Sequence, residues 1–135
     1  MPDKLSFEST FNALERATTI TQHRHSLITD NISESDTPYY RPKELDFKKA
    51  LTEAMEPVAK APMTKTDPKH LSPEPGPIQG MDVFEEESEW NGFNWVNIDR
   101  EMTKLTENDL MYRTATEALL RKITLLKEVI REGGR

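Results

Sequence analysis

The clearest pattern in the sequence lies near its C-terminus, where apolar residues recur in alternating steps of four and three. This spacing keeps side chains on one face of an α-helix. Asn97 is a suitable N-cap for such a helix, and Gly133-Gly134 is a suitable stop. The pattern predicts a helix of roughly 34 residues, about 50 Å long. Eight of its ten face positions are apolar or aromatic, the exceptions being Asp109 and Thr116. The ten positions are Ile98, Met102, Leu105, Asp109, Tyr112, Thr116, Leu119, Ile123, Leu126 and Ile130.

A second helical face begins near the N-terminus and predicts a helix from about Ser6 to Ser33. It is apolar at both ends and polar in the middle. Further apolar residues, Ile20 and Leu27 among them, lie beside it, as is typical of a helix that packs on more than one neighbour. The predicted fold is mainly α, with two long terminal helices packed as a coiled-coil-like pair. The positions on the N-terminal face are Phe7, Phe11, Leu14, Thr18, Thr21, His25, Ile28 and Ile32.

The chain between the two helices changes character, and this change predicts four segments. Residues 1–56 hold the N-terminal helix, a turn and a short helix with apolar positions from Leu45 to Met55. Residues 57–82 contain six of the nine prolines and are predicted to form a flexible arm. Residues 83–96 are acidic and aromatic, and the pair Asn91-Gly92 favours a turn or a short hairpin there. Residues 97–135 form the C-terminal helix.

The composition of the chain argues against nucleic acid and a membrane span as its partners. The formal net charge is -6 and the pI is near 5.1, so no strongly basic face is available for a nucleic acid. No apolar run is long enough to cross a bilayer, and the first residues lack the pattern of a secretory signal. The chain has no cysteine, which excludes disulfides and thiolate ligands within it.

Residues able to support catalysis or metal binding are not arranged for either. His23 and His25 are two apart, so on a helix they point about 200° away from each other and cannot share one ion. The glutamates at 85, 86, 87 and 89 suit a solvated face or a basic partner. We therefore predict no enzyme activity, no cofactor and no metal site. Four aromatic residues are compatible with either a binding patch or a small satellite core: Trp90, Phe93, Trp95 and Tyr112.

Three stretches resemble the flagellar rod and hook proteins, and most closely the FlgB-type proximal rod proteins. The segment from Thr29 to Tyr40 is similar to the family signature that ends the N-terminal helix, although Tyr39 stands where the family usually has glycine. A positive φ at that position would cost a tyrosine more than a glycine. The stretches 44–47 and 96–123 resemble later parts of the same proteins. The matching signature residues are Asn31, Ile32, Asp36, Thr37, Pro38 and Tyr40.

The resemblance implies a structural subunit of the basal-body rod that is exported by the flagellar type III apparatus without a cleaved signal. It also implies a periplasmic rod location and assembly with other copies and other rod proteins. The apolar face positions at both ends would then carry the packing contacts. Another rod or hook-junction protein, and a soluble coiled-coil adaptor or secretion chaperone, are the alternatives. An adaptor would be stably helical alone, whereas a rod subunit is expected to order on assembly.

Overall fold

The structure is a computed structural model that describes residues 7–55 and 81–134. Helix α1 spans Phe7–Ser33 and is followed by a 3-10 turn at Glu34–Asp36. Strand β1 covers Lys43–Leu45 and helix α2 covers Phe47–Met55. Strand β2 covers Val83–Glu85, and helix α3 runs over Ile98–Gly133. The fold is mainly helical, as the sequence predicts.

Helices α1 and α3 pack side by side in antiparallel directions. The ammonium of Lys122 lies 4.5 Å from the centre of the Phe7 ring, near the start of α1. Farther along the pair, the Asn108 amide donates a 2.8 Å hydrogen bond to the Thr21 carbonyl. The predicted pairing of the two terminal helices is therefore confirmed.

Helix α3 begins and ends where its sequence predicts. The Asn97 side chain accepts a 3.1 Å hydrogen bond from the backbone N–H of Arg100 and caps the first turn. The helix ends at Gly133 after 36 residues, which corresponds to about 54 Å. None of the helices in the described ranges has the length and apolar character needed to span a membrane.

The hydrophobic core lies on a different side of α1 from α3. Ile20 of α1 packs with Leu45, Ala50 and Ala54, all of them buried. Helix α1 therefore packs against β1 and α2 on one side and against α3 on another, as the apolar residues beside its predicted face indicate. The short helix predicted after the signature turn is α2. The partly buried residues around this core are Leu27, Phe47, Leu51 and Met81.

The two short strands come from segments that are far apart in the sequence. Strand β2 pairs antiparallel with β1, with Lys43 opposite Glu85 and Leu45 opposite Val83. The strand that opens the acidic and aromatic segment thus pairs with β1, and residues 86–96 contain no second strand to form a hairpin with it. The predicted proline-rich arm lies outside the described residues except for its last two, Met81 and Asp82.

Candidate assembly surface

The face that α3 turns toward α1 is polar along its first half. Glu101, Lys104 and Asn108 are buried there, and Ala115 follows. These positions lie one residue before the predicted face positions 102, 105, 109 and 116. As a result Ile98 and Met102 are displaced from the centre of the intramolecular interface and remain about half exposed, at 51% and 49%.

Charged side chains from four parts of the chain meet at this polar face. The Arg24 guanidinium bonds the Glu44 carboxylate at 2.9 Å. The Lys104 ammonium lies 2.8 Å from Glu101 and 3.1 Å from Glu44, and it also contacts Glu86. Arg100 completes the group with a 2.7 Å contact to Glu86. Three cations thus balance three carboxylates. We call these residues the ionic cluster: Arg24, Glu44, Glu86, Arg100, Glu101 and Lys104.

Electrostatics keep the central members of the ionic cluster charged. Burial raises the pKa of the Glu44 carboxyl, but hydrogen bonds from Arg24 and a backbone N–H, with the Lys104 charge nearby, outweigh it. The pKa of Glu44 therefore lies below its ordinary value. Burial lowers the pKa of the Lys104 ammonium, but hydrogen bonds to Glu101 and Glu86 hold it above its ordinary value. Glu44 and Lys104 therefore stay charged at neutral pH.

Asn31, the first matching residue of the family signature, connects α1 to three other parts of the chain. Its amide nitrogen donates to the Lys43 carbonyl at 2.8 Å and to the Glu101 carboxylate at 2.9 Å. Its oxygen accepts from the Lys43 N–H at 2.8 Å and from the Tyr40 hydroxyl at 3.2 Å. Fully buried, the side chain uses both donors and both acceptor positions, so its geometry fixes where β1 and α3 lie against α1.

A second buried amide, that of Asn94, joins the signature turn to the aromatic segment. It donates to the Ser35 carbonyl at 2.6 Å and to the Thr37 carbonyl at 3.2 Å. Its oxygen accepts from the Asn91 amide and from the Val96 N–H, each at 2.9 Å. The turn predicted at Asn91-Gly92 is therefore held against the chain that leaves α1, with Gly92 at a positive φ of 96°.

Aromatic side chains stack above this junction. The Tyr39 ring stacks on Trp90 with centroids 5.7 Å apart, and Trp90 tilts against Trp95 at 4.6 Å. The Arg41 guanidinium lies 4.5 Å from the centre of the Trp95 ring and covers that end of the stack. We call these four residues the aromatic ladder. The rings of Tyr39, Trp90 and Trp95 thus pack on one another and are still partly exposed. The binding patch that the sequence left open as an alternative stays a prediction.

Tyr39 adopts the conformation that the glycine of the family signature would favour. Its φ is 60°, and it is the one residue other than glycine with a positive φ among those described. Its N–H donates a 3.0 Å hydrogen bond to the Phe93 carbonyl, which holds the turn in place. Tyr39 is 74% exposed, although its ring stacks on Trp90.

The last turns of α3 carry exposed aliphatic side chains. Leu125 and Leu126 are exposed, and Val129 and Ile130 are each 66% exposed. We call these four residues the apolar end. It lies beyond the level at which Lys122 meets Phe7. Large aliphatic side chains grouped on one helix end are typical of a surface that another chain covers.

The predicted packing residues divide between the interior and the surface. Ile28 is fully buried, so its packing role lies within the chain. The part-buried ones are Phe11, Leu14, Ile32, Leu105, Tyr112, Leu119 and Ile123. The exposed ones are Phe7, Ile98, Met102, Leu126 and Ile130. Of the signature residues, Asn31 is buried, Ile32 and Tyr40 are part-buried, and Asp36, Thr37 and Pro38 are exposed.

Sequence reasoning missed the ionic cluster. Its members look like ordinary surface charges, and Glu86 lies within a run of glutamates that suits a solvated face. The one signal available was the spacing of Glu101, Lys104 and Asn108, which repeats in steps of three and four like a buried face. His25, on the predicted N-terminal face, is exposed. Within the described ranges no group of histidine and carboxylate side chains could hold a metal ion.

Comparison with known proteins identifies the family. No protein-family model matches the chain. It is 30% identical to the flagellar basal body rod protein FlgB of Bacillus subtilis, over 94% of this chain and 97% of that protein. It is 27% identical to FlgB of Escherichia coli, over 99% of this chain and all of that protein, and 27% identical to FlgB of Aquifex aeolicus over 89% and 91%. With similarity along nearly its whole length, the chain belongs to the FlgB family of flagellar basal body rod proteins.

Proposed function

We propose that the chain is a structural subunit of the flagellar basal body rod, in its proximal part. The observation that carries the proposal is the apolar end, which places four exposed aliphatic side chains together in the last turns of α3. Removing such side chains from water contributes about 25 cal/mol for each Å² buried. Neighbouring subunits that cover this surface would therefore be held by it, and the relatives are named for the rod.

The proposed function includes the partners of the chain, its export route and its location. The partners are other copies of this chain and other rod and basal-body proteins, and the flagellar type III export apparatus delivers the chain to the periplasmic rod. The role is packing and not catalysis, with no nucleic acid as partner. Support comes from the many apolar face positions that remain open on α1 and α3, Phe7 and Met102 among them.

The test is a pair of double variants in a motile strain that carries this chain as its rod protein. Val129→Asp with Ile130→Asp puts two carboxylates into the apolar end, whereas Thr103→Asp with Thr106→Asp puts two at exposed polar positions of the same helix. We expect the first variant to fold as the parent does but to be absent from isolated basal bodies, with motility lost. The second is expected to assemble.

The rival class of soluble adaptor is tested on the purified protein. A rod subunit that completes its packing on assembly is expected to show incomplete helicity and a broad thermal transition by circular dichroism when dilute. Normal motility of the Val129→Asp, Ile130→Asp strain, or a sharp cooperative transition of the dilute monomer together with no presence in basal bodies, would contradict the proposed function.

A further inference from the structure

We propose that the aromatic ladder is a docking surface for the apolar end of α3 from a neighbouring copy of this chain. The inference rests on the proposed function, because it names which two surfaces meet when subunits assemble. It assigns to Tyr39 and Trp90 a contact role between chains in addition to their stacking within one chain.

The free end of the aromatic ladder is formed at a conformational cost. Tyr39 holds a φ of 60°, a region that side chains with a Cβ disfavour. Tyr39 is nevertheless 74% exposed, so most of the residue is available for contact with another chain. Trp90 and Phe93 beside it are also nearly half exposed. Strained residues persist where the surrounding structure enforces them, and they concentrate at sites of contact or function.

The rim of the aromatic ladder defines the chemistry of its partner. Glu87 and Glu89 are exposed and lie within three residues of Trp90 in the sequence, and Asp36 is exposed three residues before Tyr39. At the opposite end of the stack, the Arg41 guanidinium already lies over an indole ring. Aromatic faces and carboxylates both attract cations, so the partner that suits this surface is apolar with basic side chains.

The apolar end matches this description. Lys127 and Arg131 are exposed in the same turns of α3, at the border of the aliphatic face, and supply basic groups next to apolar area. The residues from Arg121 to Gly134 hold four basic and two acidic side chains, whereas those from Asp82 to Asn91 hold five acidic and no basic ones. The two surfaces are therefore complementary in charge, and each offers apolar area.

The two surfaces cannot meet within one chain. Trp95 lies just before α3, while Val129 and Ile130 lie in its last turns, and a helix of 36 residues is about 54 Å long. Contact must then join different copies through unlike surfaces. Such a head-to-tail contact leaves one surface free on each outer copy, so it extends into a ring or a helical stack.

The absence of cysteine allows a clean cross-linking test on the purified full chain. Glu89→Cys is mixed with Lys127→Cys, and the control mixture replaces the second variant by Thr103→Cys, at an exposed position of the same helix. On mild oxidation we expect the first mixture to give several-fold more mixed dimer than the control. A chain carrying both Glu89→Cys and Lys127→Cys is expected to give a series of higher oligomers, because each copy offers both surfaces.

Charge reversal on the two surfaces provides a second test of the same contact. Adding Glu87→Lys to the Glu89→Cys chain is expected to reduce mixed dimer roughly tenfold, because like charges then face each other, and Arg131→Glu on the Lys127→Cys partner is expected to restore it. Circular dichroism checks that every variant is folded as the parent is. Yields no higher than the control, a predominance of the Glu89→Cys homodimer, or an intramolecular disulfide in the double variant would overturn the inference.

The two proposals fail in different ways. A Glu87→Lys, Glu89→Lys strain with wild-type motility and normal incorporation would overturn this contact and leave the rod function intact. Absence of the parent chain from isolated basal bodies would overturn the function itself.

Discussion

The two ends of the α1–α3 pair differ in how they are held. Where α1 ends and α3 begins, the ionic cluster and Asn31 fill the space between helices with polar groups that bond one another; we call this region the polar joint. At the other end of the pair, the last turns of α3 carry the exposed aliphatic side chains of the apolar end. Hydrogen bonds require particular distances and angles, whereas burial of apolar area is non-directional. The polar joint therefore fixes one chain's geometry, and the apolar end carries the contact that we propose between chains.

The largest expected effect comes from removing the central cation of the polar joint. Lys104→Met leaves Glu44, Glu86 and Glu101 without their shared ammonium, and breaking a buried pair in this way costs about 3 kcal/mol. We expect the midpoint of urea unfolding to fall accordingly. Arg113→Met is the matched control, since its ion pair with Asp109 lies on the surface and contributes under about 1 kcal/mol. Equal urea midpoints for the two variants would show that the buried Lys104 stabilises the chain no more than the surface Arg113 does.

The next effect concerns the amide of the polar joint. Asn31→Ala leaves the Lys43 N–H and carbonyl without their partner, and we expect a loss of about 2 kcal/mol in the free energy of unfolding. Tyr40→Phe removes one bond to the same amide, at 3.2 Å, and is expected to cost about 0.5 kcal/mol. Chemical denaturation of both variants checks the ratio, and a Tyr40→Phe loss as large as that of Asn31→Ala would show that the amide is not the centre of the joint.

Stability is expected to depend on pH through the polar joint. The pKa of Glu44 is lowered from 4.5 in the folded chain, so its contribution is complete above about pH 4.5 and is lost as pH falls through the folded value. The pKa of Lys104 is raised from 10.5, so its contribution is complete below about pH 10.5 and is lost as pH rises further. The melting temperature, measured across pH, should therefore fall both at acidic pH and at strongly basic pH. Glu44→Gln should reduce the fall in melting temperature at acidic pH. An unchanged fall would show that Glu44 is not its cause.

The last expected effect is at Tyr39, outside the polar joint. Glycine relieves the positive φ, whereas alanine keeps the cost of a Cβ there and loses the ring as well. Tyr39→Gly is therefore expected to be about 1 kcal/mol more stable than Tyr39→Ala. Tyr39→Gly compared with the parent should show a smaller difference, because the lost stacking on Trp90 offsets the relieved backbone. Equal stability of the glycine and alanine variants would mean that the turn relaxes when the ring is gone.

Much of the helical framework could be predicted from local pattern. The cap at Asn97, the stop at Gly133 and the short helix from Phe47 follow from propensities and spacing that need no distant partner. The pairing of β1 with β2 could not be predicted, because the two strands are only three residues long and 37 residues separate Leu45 from Val83. A proline-rich stretch lies between β1 and β2 in the sequence, and no local pattern indicates their register.

The candidate site was predictable only in part. The exposed face positions Leu126 and Ile130 lie where an assembly surface was expected, and their role between chains stays a prediction. The buried charges were not expected, because Lys104 and Glu101 look like a solvated pair until Glu44 and Glu86 arrive from elsewhere in the chain. A buried ion is tolerated when its partners are in place, and sequence does not show those partners.

The sequence by itself determined two long amphipathic helices, their ends and the family signature, because helix formation and capping depend on residues within a few positions of one another. Tertiary structure alone decided which helical face is turned inward. The inward face of α3 is displaced by one residue from the apolar pattern because Glu101, Lys104 and Asn108 find bonding partners on α1 and β1. That displacement leaves Ile98 and Met102 at the surface, available to other subunits.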